Sequence, residues 1–236
     1  MDTILSLVPS IPGNVIIFFP SYGYLNDCYI GWEKDGRLQL LQSIKEVYRE
    51  ESGMSNEQFA VIVSHLDRAQ YERGAILLAV CRGKASEGID FSDDKCRCVI
   101  VTGVPYPPFA DLKVKMRRLY LDEKNRQQQL FNERSRQAIQ RKDPHIPTHY
   151  VDLPLASSFN IQAEPFTGND WYTISAHRAV NQSVGRAIRH KDDFGIILLM
   201  DERFTSPISQ AKLSKWMHPF IRSFESLSSF LNSLNI

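Results

Sequence analysis

The stretch ILLAVCRGKASEGIDF, residues 76–91, begins with six apolar residues and continues into a loop with two glycines and several charged side chains. An uninterrupted apolar run of this length, ended by a turn, is typical of a strand buried on both faces of a parallel sheet. Three further runs have the same character: VIIFF (15–19), CVIVTG (98–103) and IILLM (196–200). We therefore predict an α/β fold, a parallel sheet with helices on both faces.

The segments between these strands carry the signals of helices and loops. Residues 55–74 predict a helix with Ser55 as N-cap and Gly74 as stop. Residues 37–50 predict a helix that runs into a short strand, and residues 143–169, with four prolines, predict a loop. Further helices are predicted at about 3–10, 22–32, 110–142, 170–190 and 207–217. We interpret residues 1–236 as a single domain in which 110–169 form a helical and loop insertion.

Charge is balanced over the whole chain but not along it. Lys and Arg number 28 and Asp and Glu number 27, so the overall charge neither favours nor excludes a nucleic-acid partner. Residues 113–142, in contrast, contain ten basic and three acidic side chains. Such a helix either attracts a nucleic-acid backbone or is simply a solvated charged helix, and both interpretations stay open.

Cysteine usage and hydropathy exclude several classes of protein. The cysteines, at positions 28, 81, 96 and 98, lack the spacing of a zinc finger or ribbon and predict reduced thiols in an intracellular protein. No apolar run approaches the roughly 20 residues needed to span a bilayer. Residues 1–12 lack the basic start and apolar stretch of a signal peptide. We therefore expect no metal site in this chain and no membrane association.

Three polar segments directly follow predicted strands. In parallel sheets, ligands bind just beyond the carboxyl ends of the strands. They are SYGYL after the first strand, RGKASEGIDF after the run at 76–81 and GVPYPP after the run at 98–103. The Gly83-Lys84 pair is not a P-loop, because the required glycine and hydroxyl positions hold Leu78 and Ala85. The loop at 82–91 can cradle phosphate with its amides, or it is a tight turn with solvated charges.

Two other features have an ordinary and a functional interpretation. Asp201-Glu202 is similar to a magnesium-binding pair at a strand end, but without a P-loop we interpret both as structural residues. The aromatic side chains of Tyr22, Tyr106, Trp171 and Tyr172 are suited to stack on bases, but each taken alone is more typical of a core aromatic.

The segment RAVNQSVGRAIRHKDDFG, residues 178–195, predicts a helix with two different faces. Helical spacing places one polar set on a common face: Gln182, Gly185, Arg186 and Arg189. The opposite face is apolar and predicted to be buried: Val180, Val184, Ala187 and Ile188. Gly185 costs about 1 kcal/mol of helix stability relative to alanine, which suggests room for an anion to reach the arginines. A solvated basic face with an incidental glycine is the alternative.

Four motifs in order resemble one family. FFPSYGYL (18–25), AVCRGKASEGIDFSD (79–93), VIVTGVPYPP (99–108) and NQSVGRAIRHKDDFGIILLMDERF (181–204) are similar to the second motor domain of superfamily 2 helicases of the iron–sulfur XPD/DinG type. Within that type they are most similar to the telomere-elongation branch, with the FANCJ branch next. The resemblance runs from about residue 10 to 220 and implies a RecA-like fold.

The resemblance also implies roles for particular residues. In this family ATP and Mg²⁺ lie between two RecA-like domains, and the second domain supplies arginine fingers, here Arg186 and Arg189. The other implied ATP-site residues are Gly88, Asp90, Gln182 and Gly185. Residues implied to lie near single-stranded DNA are Ser21, Tyr22, Arg82, Lys84, Ser86, Pro105 and Tyr106.

The family's first motor domain supplies parts that this sequence lacks. They are the P-loop, the Asp-Glu magnesium box and the cysteines of a 4Fe–4S cluster. We therefore expect the second half of an ATP-driven 5′–3′ DNA helicase of the nucleus, with single-stranded DNA and the first RecA-like domain as partners. The isolated chain is expected to hydrolyse ATP negligibly. A non-enzymatic module that binds nucleic acid or protein, and an RNA-directed helicase, remain alternatives.

Overall fold

The computed structural model describes residues 1–87, 91, 93–140, 165–186, 188 and 192–233. The chain divides into two compact units, Met1–Tyr106 with Ala176–Ile236, and Pro107–Ser175. No helix in the described ranges is long and apolar enough to cross a membrane.

Within the described residues, five strands of the first unit form one parallel sheet. They are β1 (Val15–Phe19), β2 (Glu46–Arg49), β3 (Ala75–Val80), β4 (Cys98–Val101) and β5 (Ile196–Leu199), in the order β2-β3-β1-β4-β5. Val15 is in register with Ile76 of β3 and with Cys98 of β4. This arrangement confirms the predicted parallel sheet, including the short strand predicted at the end of residues 37–50. Because every strand is parallel, all carboxyl ends meet at one edge.

The helices agree with most of the predicted segments. They are α1 (Asp2–Leu7), α2 (Tyr22–Lys34), α3 (Arg37–Ile44), α4 (Asn56–Ala69), α5 (Leu112–Gln140), α6 (Gly168–Val184), α7 (Pro207–Gln210) and α8 (Leu227–Ser233). Ser55 caps α4 as predicted, since its Oγ accepts from the Gln58 N–H at 3.2 Å.

The predicted helix at 207–217 is wrong. Helix α7 ends at Gln210, and a separate 3₁₀ helix covers Lys215–Phe220. Between them, the Asn181 side chain donates to the Lys212 carbonyl at 3.0 Å and accepts from the Ser214 N–H at 2.9 Å. These tertiary bonds engage the backbone groups that a longer helix would need.

The hydrophobic core lies on both faces of the sheet. Successive side chains of β1 alternate between two clusters, and β1 is fully buried, with Phe18 at 0% exposure. Ile16 packs in one cluster with Leu66 of α4 and Val180 of α6. Ile17 packs in the other with Leu25 of α2. The two clusters confirm the predicted doubly covered sheet.

Asn14 ties together the amino edge of the sheet. Its Nδ2 donates to the carbonyl oxygens of Leu66 at 2.9 Å and Lys95 at 2.8 Å. Its Oδ1 accepts from the Ala75 N–H at 2.8 Å. One buried side chain therefore satisfies backbone groups from three separate segments, as burial of polar groups requires.

Gly74 lies beside this network in a left-handed conformation, with φ of +74°. A Cβ at this position would lie 1.8 Å from the carbonyl oxygen of Gly13. Helix α4 ends at Ala69, before the predicted stop, and the Gly74 N–H donates to the Ala69 carbonyl at 2.8 Å. Gly74 thus allows two backbone segments to touch.

The second unit contains α5 and the first part of α6. The Arg118 guanidinium lies over the rings of Phe109 (4.4 Å) and Tyr172 (5.2 Å). Asp122 accepts from the Gly168 N–H at 2.7 Å. These contacts favour a core role for Tyr172 over base stacking. Most of the predicted loop at 143–169 lies outside the described residues.

Candidate functional site

Polar segments from all five strands gather at the carboxyl edge of the sheet. Ser21 follows β1, Glu50 follows β2, and residues 81–87 follow β3. Residues 102–106 follow β4, and Asp201 follows β5. The edge therefore collects the predicted motif segments on one side of the first unit, the place where parallel sheets bind ligands.

Glu50 is completely buried at this edge, with 0% exposure. Its Oε1 accepts from the Tyr22 hydroxyl at 2.6 Å and from the Lys84 N–H at 2.6 Å. Its Oε2 accepts from the Val80 N–H at 3.3 Å. Burial and the Glu50 carboxylate hold the pKa of the Tyr22 hydroxyl well above its usual value near 10.

The sequence did not predict a role for Glu50, although Gly83 carries a signal of it. A Cβ on Gly83 would lie 2.3 Å from the Glu50 Oε1. Only glycine leaves room for the carboxylate to reach the backbone of the loop. The glycine of the RGK sequence is thus explained by close approach of a carboxylate.

The loop after β3 is a tight turn with charged side chains around it. Arg82 is exposed and has a φ of +67°, and Lys84–Ser86 form one 3₁₀ turn. The Lys84 Nζ donates to the Asn56 Oδ1 at 2.6 Å. Ser86 is buried and its hydroxyl donates to the Gly83 carbonyl at 2.8 Å. Gly88 and Asp90, both predicted for the ATP site, lie outside the described residues.

Arg186 contacts this loop directly. Its Nε donates to the Ser86 carbonyl at 3.0 Å, and its own carbonyl accepts from the Phe91 N–H at 3.0 Å. The structure thus brings the predicted arginine finger against the predicted DNA-side loop. Arg189, the second predicted finger, is not among the described residues.

The prediction of one helical face through Arg189 is corrected in part. Helix α6 ends at Val184, and the Arg186 N–H reaches only to the Ser183 carbonyl at 3.4 Å. Gln182 is exposed near the helix end, and Gly185 and Arg186 follow in a turn. The i−3 bond tightens the last turn, which redirects Arg186 toward the loop after β3. Val184 is buried as predicted.

Asp201 organises the segments after β4 and β5. Its Oδ1 accepts from the Arg203 N–H at 2.9 Å and from the Arg203 Nε at 2.8 Å. Its Oδ2 accepts from the Val104 N–H at 3.3 Å. Arg203 also lies 5.5 Å from the ring of Tyr106. These bonds agree with the interpretation of Asp201 as a structural residue.

The other predicted DNA-side residues also occupy the carboxyl edge. Pro105 is buried and Tyr106 is half-buried in the segment after β4. Ser21 caps α2, because its Oγ accepts from the Tyr24 N–H at 3.1 Å. The structure therefore brings Ser21, Tyr22, Arg82, Lys84, Ser86, Pro105 and Tyr106 to the same edge as Arg186.

Asp201 gives a pH-dependent prediction. The Arg203 hydrogen bond holds the pKa of the Asp201 carboxyl below its usual value. The stabilisation is therefore complete above about pH 4, the unfolded-state pKa, and is lost as pH falls through the lower folded-state pKa. We expect Arg203→Ala to lower the free energy of unfolding by about 1 kcal/mol at pH 7. The loss should shrink as the pH falls below about 4.

Urea unfolding at several pH values between 3 and 7 measures this difference. Arg126→Ala is the matched control, because Arg126 bonds Glu123 at 2.8 Å on the exposed surface of α5, where ion pairs contribute little. A constant loss across the pH range would contradict the assignment to Asp201.

Comparison with known proteins agrees with this geometry. The model of the helicase C-terminal domain matches residues 4–220. The regulator of telomere elongation helicase 1 homolog of Anopheles gambiae is 39% identical over 97% of this chain and 20% of its own length. Its counterparts in Culex quinquefasciatus and Drosophila melanogaster are each 35% identical, over 94% and 92% of this chain and 19% and 18% of their own lengths.

A solved structure of an XPD helicase has the same fold. It superposes with a TM-score of 0.54 and 21% identity, over 94% of this chain and 30% of that chain. The fold match and the relatives confirm the resemblance inferred from the four motifs. The chain spans about a fifth of the length of these relatives. From its fold, its motif residues at one sheet edge and its match to the domain model, the chain belongs to the helicase C-terminal domain family.

Proposed function

We propose that this chain is the second RecA-like motor domain of an ATP-dependent 5′–3′ DNA helicase. The observation that carries the proposal is the bond between the Arg186 Nε and the Ser86 carbonyl, 3.0 Å long. It joins the arginine expected at ATP to the loop expected at DNA. A motor needs such a connection, because ATP hydrolysis must change the affinity for the nucleic-acid strand.

In this proposal Arg186 and Arg189 stabilise charge on ATP bound against the first motor domain. The transferring phosphoryl group spreads negative charge over its oxygens, which guanidinium donors neutralise. With the Nε of Arg186 held by Ser86, its two Nη groups are the donors that we assign to phosphate. Gln182 and Gly185 would border the nucleotide beside Arg186, together with Gly88 and Asp90.

The residues present fit half of a nucleotide site. The described residues hold no group of three or more His, Cys, Asp or Glu side chains that could bind a metal ion. Basic side chains among them, such as Arg186, are suited to bind phosphate instead. By the resemblance to XPD-type helicases, we assign Mg²⁺, the P-loop and the 4Fe–4S cluster to the first motor domain.

We propose that the carboxyl edge forms part of the single-stranded DNA track. Arg82 is an exposed cation of this edge, while Tyr22, Lys84 and Ser86 stabilise the loop through their hydrogen bonds. Because the relatives are named for telomere elongation, we further propose chromosomal DNA as the substrate and the nucleus as the location.

A comparison of two proteins tests the proposed function. The 236-residue chain alone is expected to show no ATPase activity above the blank, because it lacks the P-loop that holds the triphosphate and Mg²⁺. A longer protein that includes the P-loop domain is expected to hydrolyse ATP and to be stimulated by single-stranded DNA. Robust turnover by the pure chain, or a longer protein without DNA stimulation, would contradict the proposal.

The second candidate is a binding module without motor activity. The exposed basic side chains of α5 favour it, among them Lys113, Lys115, Arg117 and Lys124. This candidate predicts strand binding by the longer protein, with strong salt dependence and no ATP turnover. The third alternative is an RNA-directed helicase. It predicts that single-stranded RNA, in place of DNA, stimulates the ATPase of the longer protein.

A further inference from the structure

The Glu50 carboxylate joins two segments that the proposed function places at the nucleic acid. It accepts from the Tyr22 hydroxyl and from the Lys84 N–H, each at 2.6 Å. One turn later, the Ser86 carbonyl accepts from the Arg186 Nε at 3.0 Å. The bonds form a continuous connection from Tyr22 through Glu50 and the loop after β3 to Arg186.

We propose that Glu50 is a positioning residue that couples the DNA side of this edge to Arg186. The inference rests on the proposed function, because it needs a strand at Tyr22 and a nucleotide at Arg186. Glu50 itself is completely buried and touches neither ligand. It acts through Tyr22 and through the backbone of the loop.

Burial makes this connection sensitive to small movements. A buried carboxylate is stable only while donors surround it, and loss of a donor costs the desolvation of the charge. When a strand displaces Tyr22, the carboxylate loses a donor and must either follow the ring or shift relative to the Lys84 and Val80 amides. Both responses move the loop that carries Ser86. At Gly83 the backbone of the loop packs directly against the carboxylate, because the space between them is too small for a methyl group.

A purely structural role for Glu50 predicts a different outcome. If the carboxylate only holds the loop after β3, its loss lowers the amount of folded enzyme. The maximal rate then falls, while the DNA concentration at half-maximal stimulation stays the same. If Glu50 couples the two sides, the half-saturating DNA concentration itself changes. Steady-state ATPase assays on the complete helicase, with single-stranded DNA as the variable, separate the two roles.

Glu50→Gln is the first variant, because it keeps the size of the side chain and removes its charge. We expect the half-saturating DNA concentration to rise about tenfold, a typical coupling effect. The rate at saturating DNA should fall less than threefold. Glu51→Gln is the matched control, since Glu51 is the next residue and is exposed. The control should match wild type. A Glu50→Gln enzyme with an unchanged half-saturating concentration would overturn the inference.

Tyr22→Phe provides a second variant that removes only a hydroxyl group. If Tyr22 acts through Glu50, Tyr22→Phe raises the half-saturating concentration, and the double variant is no worse than Glu50→Gln alone. If the hydroxyl contacts the strand directly, the two effects multiply, and the coupling role is overturned. Where Glu50→Gln does not fold, Tyr22→Phe alone still tests the inference, because an unchanged half-saturating DNA concentration in that variant would overturn it.

The wild-type enzyme distinguishes failure of this inference from failure of the proposed function. Absence of DNA-stimulated ATPase in wild type and in Glu51→Gln would contradict the motor assignment, and the coupling role with it. If DNA stimulates the wild-type ATPase and Glu50→Gln has the same half-saturating DNA concentration, only the coupling role is overturned.

Discussion

Replacing Arg186 with alanine in the complete helicase is expected to lower the rate of ATP hydrolysis by about 10³–10⁵-fold, the contribution of an arginine finger. The affinity for single-stranded DNA should change little. The reason is that Arg186 is assigned to the transferring phosphate, while Arg82 is an exposed cation of the DNA side. Single-turnover ATPase and DNA binding by fluorescence anisotropy measure the two quantities on the same preparation.

Two variants control this experiment. Arg178→Ala removes an exposed arginine about two turns earlier in α6 and should retain near wild-type activity. Arg186→Lys keeps the charge but loses the planar fork and the Nε donor, so it should not restore the rate. A thermal melt checks that loss of the bond to Ser86 leaves the domain folded. Lost DNA affinity with retained ATPase would contradict the assignment of Arg186 to the phosphate.

Gly74→Ala is expected to lower the free energy of unfolding by about 3 kcal/mol or more. A left-handed conformation costs a residue with a Cβ about 1–2 kcal/mol. The methyl group would also overlap the Gly13 carbonyl oxygen, 1.8 Å from the ideal Cβ position. Backbone oxygen cannot move aside as a flexible side chain can, so relief requires a shift of the whole segment and costs a further 1–3 kcal/mol or so.

Gly36→Ala separates the two causes. Gly36 has nearly the same φ, +78°, but nothing lies within 4 Å of a Cβ there. We expect a loss of only about 1–2 kcal/mol, the conformational cost alone. Urea denaturation of the 236-residue chain, with the slope compared between variants, measures both values. Equal losses at the two glycines would contradict the close approach of Gly74 to Gly13.

Much of the sheet could be predicted from sequence because its strands are covered on both faces. Runs such as VIIFF and AILLAV have no polar residue to interrupt them, and a parallel interior strand needs none. The strand EVYR at 46–49 lies at the edge of the sheet and is only half-buried, so its pattern is weaker. The sequence therefore predicted it only as the end of a helical segment.

Helix ends were harder to predict because distant residues determine them. The periodicity of 178–189 continues past Val184, yet the helix stops there and Arg186 turns to Ser86. Likewise the 207–217 segment is interrupted by bonds from Asn181, about 30 residues away. Tertiary contacts of this kind override local propensity and leave no local signal.

The motif residues of the candidate site could be predicted from sequence, whereas the buried Glu50 could not. Arg186 and the loop after β3 were both identified, but their contact was not. Glu50 was missed because a glutamate in the sequence VYREES has the appearance of a solvated charge. Only the three-dimensional fold shows that it is buried and that Gly83 is small to make room for it.

The strand order also constrains how the chain is made. The central strand β1 is synthesised first, but its neighbours are β3 and β4, in register at Ile76 and Cys98. During synthesis both edges of β1 are open until β3 has left the ribosome, and the edge that pairs with β4 stays open until about residue 101 has emerged. An apolar strand with unpaired edges is a template for aggregation. Nascent chains that stop before β4 should thus depend on chaperones more strongly than chains that include it.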